Sequence, residues 1–223
     1  MTYSNQPYDM NPAGDFDLGA VADIPSCEFW DHRNSNLVDT LYSCIEATSI
    51  GHILNKKIIS AEAFTSILPN RFHSYPGQMK NQTDWAFAMG INNLIFHTFP
   101  HQPLGNNFKP GMAMGPHGSN WHRHQTWWEM LPAYHSYISR ASYLLQQGTA
   151  VADILYVIPE GVPHIFSPPT SALGGTSVMK YKRGYSFDAV SLEALIRLAE
   201  VRDGKVVFPG GSSYNLVILP KLD

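Results

Sequence analysis

Two apolar, β-branched segments that each end in polar side chains constrain the fold of this chain more than any other feature. The first, Lys57 to Thr65 (KIISAEAFT), carries Glu62, and the second, Ile91 to Pro103 (INNLIFHTFPHQP), carries His97 and His101. A helical pattern separates the two segments, and a longer one precedes the first. A (β/α)8 barrel presents its active site in this way, with reactive groups at the carboxyl ends of strands that alternate with helices. The sequence therefore predicts an α/β enzyme.

The remaining periodicity extends this alternation along the chain. Residues 1–33 are rich in Asn, Pro, Gly and Asp, with one short strand inside an irregular segment, and Asn34 to Asn36 supply helix N-cap candidates. The long segment 100–125 predicts a functional loop. The predicted strands are Leu18–Ile24, Ile58–Ala63, Asn93–Phe99, Ala152–Ile158, Tyr214–Leu219 and a short one with its turn in DGKVVFPGG, residues 203–211. The predicted helices are Leu37–Leu54, Met79–Met89, Trp127–Gln147 and Ser191–Val201.

The composition is that of a well-buried enzyme core. Hydrophobic residues make up 44% of the 223 positions and charged residues only 15%, which argues against disorder. A net charge of −3 offers no basic surface for nucleic acid or an anionic membrane, and no apolar run reaches the length of a membrane span. We therefore expect neither nucleic acid nor membrane as a partner. Cys27 and Cys44 have no metal-binding spacing and are expected to be free thiols.

The end of the chain indicates a fragment. The segment Tyr214–Leu219 is apolar without polar alternation, which is typical of a buried parallel strand, and the chain stops four residues later. We therefore expect a piece cut at both ends that needs the remainder of its own barrel upstream. A partial barrel exposes strand edges, so the isolated piece is expected to be poorly soluble.

Several ordered motifs carry a family resemblance. They are AEAFT, the Lys80 to Asp84 step, GINNLIFHTFPHQP, PGMAMGPHG, TWW and SRASYLLQQGTAVADILYVIPEG. Together with GYSFDAVSLEAL and DGKVVFPGGSSYNLVILP, they resemble glycoside hydrolase family 106, whose characterised members are α-L-rhamnosidases. The resemblance covers most of the chain, from about residue 14 to residue 222.

The resemblance implies two domains. Residues 1–148 would be the C-terminal part of a (β/α)8 TIM barrel, with Leu18–Ile24, Ile58–Ala63 and Asn93–Phe99 as its sixth, seventh and eighth strands. Residues 149–223 would begin a Rossmann or flavodoxin-like α/β domain, similar to glutamine amidotransferases and truncated here. The full-length parent is expected to be secreted or periplasmic, although the sequence shows no signal peptide.

Glu62 is the candidate catalytic residue. Glycoside hydrolysis uses two carboxyl groups, and a Glu between Ala61 and Ala63 at a strand end is costly to place without a task. The resemblance implies an inverting α-L-rhamnosidase in which Glu62 is the general base for water and the general acid lies on an earlier strand outside the chain. The structural alternative is a buried Glu paired with Lys or Arg.

The candidate substrate-binding residues are a carboxylate, two imidazoles and two indoles. Carboxylate and imidazole groups can hydrogen-bond to sugar hydroxyls, and aromatic faces stack on the C–H surface of a pyranose. Each has an alternative role in core packing, and Glu28 has a further one as a metal ligand. These residues are Glu28, Trp30, His97, His101 and Trp128.

The metal content stays open. His117, His122 and His124 form a weak zinc pattern without a carboxylate companion, and a solvated loop is the favoured interpretation. The family resemblance raises calcium, which takes several oxygen ligands, and the sequence does not supply an identifiable set. We predict no other cofactor.

Three other functions fit the same residues. A retaining, β-galactosidase-like hydrolase would use Glu62 as nucleophile, with carboxyl groups about 5–5.5 Å apart instead of the roughly 6.5–9.5 Å of an inverting enzyme. A carbohydrate-binding module would dock sugar on the aromatic residues without cleavage. A His-rich metallohydrolase would lose activity with a chelator.

Overall fold

The computed structural model describes residues 2–4, 15–31, 37–67, 70–159 and 185–220. The N-cap candidates Asn34 to Asn36 lie outside these ranges. The helices are α1 (Asp15–Ala20), α2 (Leu37–Ile53), α3 (Pro76–Ala88), α4 (Leu131–Leu145) and α5 (Leu192–Leu198). The strands are β1 (Thr2–Ser4), β2 (Ile24–Trp30), β3 (Ser60–Thr65), β4 (Asn93–Phe96), β5 (Ile154–Ile158), β6 (Phe187–Ser191), β7 (Glu200–Arg202), β8 (Lys205–Val207), β9 (Ser213–Tyr214) and β10 (Leu216–Ile218).

The first sheet is parallel and has the order β1-β2-β3-β4. Helix α2 connects β2 to β3, and α3 connects β3 to β4, which is how parallel neighbours are joined. In the register of the sheet, Glu28 of β2 stands beside Glu62 of β3, and Glu62 stands beside Ile95 of β4. The carboxyl ends of these strands therefore meet at one edge.

The second sheet is also parallel, with the order β10-β5-β6, and a small antiparallel sheet β7-β8-β9 follows it in the chain. Strands β7 and β8 form a hairpin whose turn is Asp203-Gly204. Both turn residues have positive φ, 52° and 75°, which is the backbone that a tight hairpin turn demands and that Gly adopts at little cost.

Helix α2 lies between the two parallel sheets. Cys44 and Ala47 are buried in the core beside the first sheet. Ile45, Ile50 and Ile53 belong instead to the core built around β5 and β6. Because its apolar residues contribute to two cores, α2 has no solvent-exposed face between residues 43 and 51, all of which are buried.

The predicted strand Leu18–Ile24 was wrong. Asp15–Ala20 forms helix α1, and the strand begins only at Ile24. The short apolar run resembled a strand, whereas Pro25, Ser26 and Glu28 resembled a loop. All three are buried inside β2, where packing on both faces outweighs their local preference for turns. The strand β1, within the segment expected to be irregular, was not predicted.

Two features near the end of the chain also differ from prediction. The helix expected over Ser191–Val201 ends at Leu198, because Glu200–Arg202 joins the β7–β8 hairpin. The segment Tyr214–Leu219 is split between β9 and β10. Its pairing with β5 is parallel, as predicted, but β10 lies at the edge of its sheet and Leu216 is exposed.

The remaining predicted helices and strands are confirmed, with ends that differ by at most four residues, whereas β6 and β7 were not predicted. The predicted ion pair is present, with Nζ of Lys80 2.6 Å from Oδ2 of Asp84. Cys27 and Cys44 are free, as predicted, with sulfur atoms 3.2 Å apart. None of the helices in the described ranges is long and apolar enough to cross a bilayer.

Candidate active site

Glu62 lies at the carboxyl edge of the first sheet, and a β-bulge shapes its surroundings. Ala63 pairs with Phe29 and Thr65 pairs with Trp30, so Phe64 is an extra residue in β3 and has a positive φ of 64°. Side chains alternate along a strand, so Thr65 would otherwise point away from Glu62. With the extra residue inserted, Thr65 Oγ1 donates a hydrogen bond of 3.1 Å to Oε1 of Glu62.

The side chain of Glu62 is the more open of the two neighbouring carboxylates. It is 30% exposed, whereas Glu28 is 4% exposed as a residue. Nε1 of Trp30 donates a short hydrogen bond to Oε1 of Glu28, and the Trp30 ring makes an edge contact with the ring of His117, with centroids 5.6 Å apart. Glu28 is therefore held in place, and Glu62 keeps access to a reactant.

His97 follows β4 and lies beside Glu62. Its Nε2 is 3.9 Å from Oε1 of Glu62 and 3.3 Å from Sδ of Met114, and its side chain is 15% exposed. Burial lowers the pKa of His97, the charge of Glu62 raises it, and His117 lowers it, with a net downward shift. The imidazole is therefore neutral at neutral pH, which favours a hydrogen-bonding role over a fixed positive charge.

The loop after β4 returns to the strand ends and fixes His97 through the backbone. Gly118 N donates to Ser66 O at 2.7 Å, Ser119 N to His97 O at 2.8 Å, and Trp121 N to Thr98 O at 3.0 Å. Gly118 has φ of 102°, and a Cβ there would lie 2.9 Å from Cγ2 of Thr98. A glycine is therefore required at this close approach.

Aromatic packing supports the strand ends from outside the site. The rings of Phe96 and Trp121 stack with centroids 4.1 Å apart, and Trp121 also stacks near Tyr134. Trp127 is buried and its Nε1 donates to Ser74 O at 3.1 Å, so of the adjacent indoles it is Trp127 that packs in the core. The strand ends therefore pack against a cluster of buried aromatic rings.

The structure does not bring His101 and Trp128 into contact with Glu62. His101 is exposed and forms an isolated bridge with Met112 in the long loop. Trp128 lies beside Phe99, with ring centroids 6.3 Å apart. Both remain predicted substrate contacts, but they lie in or beside the long loop and not next to Glu28 and Glu62.

The described residues contain no group of three or more His, Cys, Asp or Glu that could hold a metal ion. The rings of His122 and His124 lie 5.4 Å apart, whereas His117 packs on Trp30. The three imidazoles therefore do not form a zinc set. Glu28 and Glu62 alone supply fewer than the six to eight oxygen ligands that calcium prefers, so the described residues do not form a calcium site by themselves. Calcium binding therefore stays a prediction.

Three neighbours of the site were not found from sequence. Thr65 reaches Glu62 only because of the bulge, and Met114 reaches His97 from a distant part of the loop. Asp31, which directly follows β2, is 2% exposed and accepts a short hydrogen bond from Ser74 Oγ. A polar residue directly after a strand could have been found from the sequence. Asp31 was missed because the strand before it was predicted at Leu18–Ile24 and not at Ile24–Trp30.

Two cavities lie away from this edge. They have volumes of about 280 and 210 Å³ and share His52, Gly90 and Ala150 in their walls. The larger one also reaches Ile59 and Asn92, which directly precede β3 and β4. These cavities therefore lie at the amino ends of the strands, opposite the edge that carries Glu62.

A family model for glycoside hydrolase family 106, described as α-L-rhamnosidase, matches residues 3–223. The chain belongs to glycoside hydrolase family 106. The resemblance drawn from the motifs is thereby confirmed.

Two relatives agree with this membership. A Formosa agariphila protein provisionally named β-glucuronidase is 35% identical over 224 residues, which cover 100% of this chain and 18% of the relative. The solved structure of a rhamnosidase from Novosphingobium sp. PP1Y matches with a TM-score of 0.78 and 27% identity, over 95% of this chain and 20% of that one. The chain thus spans about a fifth of the length of these proteins, and its mixed α/β fold with parallel sheets is similar to the matched part of that rhamnosidase structure.

Proposed function

We propose that this chain forms part of the catalytic region of an α-L-rhamnosidase, with Glu62 as the general base. The observation that carries the proposal is the carboxyl edge of the first parallel sheet, where Glu62 is accessible between Glu28 and His97. Family membership supports the reaction class, and the name of the solved relative supports the sugar. The substrate would be a rhamnosylated glycan or glycoside.

The fold proposal is that strands β1 to β4 are consecutive strands of a (β/α)8 barrel. Strands β2, β3 and β4 would be the sixth, seventh and eighth, and β1, which pairs with β2 in parallel, would be the fifth. Ile95 in β4 is 50% exposed, as expected for a strand whose outer neighbour is the first strand of the same barrel. Residues 149–223 would begin the next α/β domain.

The proposed mechanism is a single displacement. Glu62 accepts a proton from a water molecule as that water attacks the anomeric carbon through an oxocarbenium-like transition state. A carboxylic acid elsewhere in the full-length protein protonates the leaving oxygen. The hydroxyl of Thr65 holds Oε1 of Glu62, and Glu28 with Trp30 is proposed to bind sugar hydroxyls and the ring face. His101 and Trp128 complete the proposed substrate contacts, and His97, which the sequence also predicted as one, lies beside Glu62.

A β-glucuronide is the second candidate substrate, because it appears in the provisional name of the Formosa relative. The reacting geometry is shared by both sugars, since both reactions need a carboxylate beside the anomeric carbon. The sugar-binding residues would differ: a uronic acid calls for a cation near its carboxylate.

The test uses the full-length protein with p-nitrophenyl α-L-rhamnoside, p-nitrophenyl β-D-glucuronide and p-nitrophenyl β-D-galactoside, with and without calcium. We expect release of p-nitrophenol from the rhamnoside, and a product that NMR shows as the inverted anomer immediately after cleavage. Cleavage of another glycoside alone would replace rhamnose as the proposed sugar. A product with the retained anomer would indicate that Glu62 is a nucleophile and not a general base. No cleavage of any glycoside would contradict the proposed function.

A further inference from the structure

We propose that His97 is a positioning residue for Glu62, an inference that rests on the proposed function. In this arrangement the Nε2–H of His97 and the hydroxyl of Thr65 act together on one carboxylate oxygen, Oε1. The other oxygen, Oε2, is thereby turned to the reacting water. His97 would act through Glu62 and not by contact with the sugar.

The neighbours of the imidazole determine where its proton lies. Sδ of Met114 and Oε1 of Glu62 are both acceptors, and both face Nε2 of His97. In the neutral imidazole one nitrogen donates and the other accepts, so Nε2 carries the proton. In the described part of the chain Nδ1 is buried and has no hydrogen-bond partner, which leaves Nε2 as the working atom.

The contacts of Glu62 are divided unequally between its two oxygens. The hydroxyl of Thr65 donates to Oε1, and Nε2 of His97 approaches the same atom. Within the described residues Oε2 accepts no hydrogen bond. A general base needs this asymmetry, because one oxygen must be oriented while the other accepts the proton.

The distance from Nε2 of His97 to Oε1 of Glu62, 3.9 Å, is longer than a hydrogen bond, and the structure contains a way to close it. The backbone of His97 is held by Ser119, so the strand end cannot shift. Met114, which shares Nε2, has an exposed side chain that is free to turn away. Active-site hydrogen bonds are often long without substrate and shorten in the reacting complex.

Burial has the largest effect on the pKa of His97, followed by two titratable neighbours, Glu62 on β3 and His117 on the loop. Its burial opposes protonation and outweighs the attraction of Glu62. His97 therefore works as a neutral donor, and its contribution does not require an imidazolium. A neutral amide placed at the same point should replace it.

The test compares two amide substitutions in the full-length protein. The amide nitrogen of Gln falls near the position of Nε2 in His, and that of Asn near Nδ1. We expect His97→Gln to keep most of kcat, and His97→Asn to lower kcat by about 10- to 100-fold with little change in KM, as for loss of a hydrogen bond to a charged group. In His97→Asn the acidic limb of the kcat/KM profile moves to higher pH, because the carboxylate form loses a donor.

Two further variants keep the test decisive. Thr65→Val removes the other donor to Oε1 and should move the same acidic limb in the same direction, whereas His73→Gln, at an exposed position, should leave the profile unchanged. Equal loss in His97→Gln and His97→Asn at unchanged melting temperature, or a wild-type acidic limb in His97→Asn, would overturn the inference. If the wild type cleaves no glycoside, the proposed function fails first, which is a separate outcome.

Discussion

Glu62 in the first parallel sheet and Asp188 in the second are two carboxylates in opposite environments. At the carboxyl edge of the first sheet, Glu62 is 30% exposed and Nδ1 of His97 is buried without a partner among the described residues. In the second sheet, Asp188 is the second residue of β6, its side chain is only 3% exposed, and both of its oxygens accept hydrogen bonds.

The environment of Asp188 is complete. Tyr214 Oη donates to Oδ2 at 2.8 Å, and Nδ1 of His52 lies 2.9 Å from Oδ1. Burial, followed by the charge of Asp188, raises the pKa of Tyr214 well above its usual range, so the phenol stays a donor. Ser49 Oγ accepts from Ala189 N at 2.9 Å, which makes a further polar contact between α2 and β6. The contacts of His52 and Ser49 join the second sheet to α2, and the bond from Tyr214 joins it to β9.

The comparison separates polar groups that stabilise the fold from those available for chemistry. A buried carboxylate is tolerated when its hydrogen bonds are satisfied within the protein, and it then has no capacity left for a substrate. An accessible carboxylate beside an imidazole with an unsatisfied nitrogen has such capacity. We therefore expect changes in the first sheet to affect activity, and changes in the second to affect stability.

The largest expected effect is that of Glu62→Gln in the full-length protein. The amide cannot accept the proton of the attacking water, so kcat should fall by about 10²- to 10⁴-fold. The melting temperature should stay near that of the wild type, because Glu62 is partly exposed and, among the described residues, the only basic side chain that approaches it is His97, which is neutral, and no Lys or Arg does. A substrate assay and a thermal melt of the same preparation check both. A large fall in melting temperature would support a structural role for Glu62.

Asp188→Asn should have the next largest effect, and on stability. The amide group turns a donor toward His52 or Tyr214, which leaves a buried donor without an acceptor at a cost of about 1–3 kcal/mol. Denaturant unfolding measures the loss, and kcat per folded molecule should be unchanged. The matched control is Asp153→Asn, since that carboxylate contacts Asn215 at an exposed position.

Ser191→Ala should cost less. Ser191 is the N-cap of α5, and its Oγ accepts from Ala194 N at 3.2 Å. Loss of an N-cap typically costs about 1 kcal/mol. Ser191 Oγ also donates to Oδ1 of Asp17 at 2.7 Å. Ser191→Asn keeps an acceptor for the cap without adding a negative charge beside Asp17, and should retain most of the stability in the same unfolding experiment. If both variants unfold alike, the cap does not stabilise α5.

The smallest effect is expected for Lys80→Met. The Lys80–Asp84 pair lies one helical turn apart on the exposed side of α3, where solvent screens it. Neither activity nor the melting temperature should change measurably. A clear loss of activity would extend the functional region to α3, beyond the strand ends.

The sequence predicted those parts of the site that depend on strand ends. Glu62 and His97 each close an apolar segment, and parallel strands bring such positions to one edge. Asp31 also follows a strand end, but it was not predicted because Pro25 and Ser26 made the sequence of β2 resemble a loop. His101 and Trp128 depend on the path of a long loop, for which local pattern carries no information.

The parts that could not be predicted depend on contacts between distant residues. His52 and Asp188 are 136 positions apart, and no periodicity links them. The bulge at Phe64 arises from pairing with β2 and is not visible in the segment AEAFT. Strand β8 was predicted within the segment DGKVVFPGG, but its hairpin partner β7 was not, because the helical period of the residues before Asp203 concealed it.

The most direct test of the account measures kcat/KM and the melting temperature of full-length wild type, Glu62→Gln and Asp188→Asn side by side on p-nitrophenyl α-L-rhamnoside. The account predicts a crossed result: Glu62→Gln loses activity and keeps its melting temperature, and Asp188→Asn loses stability and keeps its activity per folded molecule. Full activity in Glu62→Gln would contradict the central claim that Glu62 carries the chemistry of this chain.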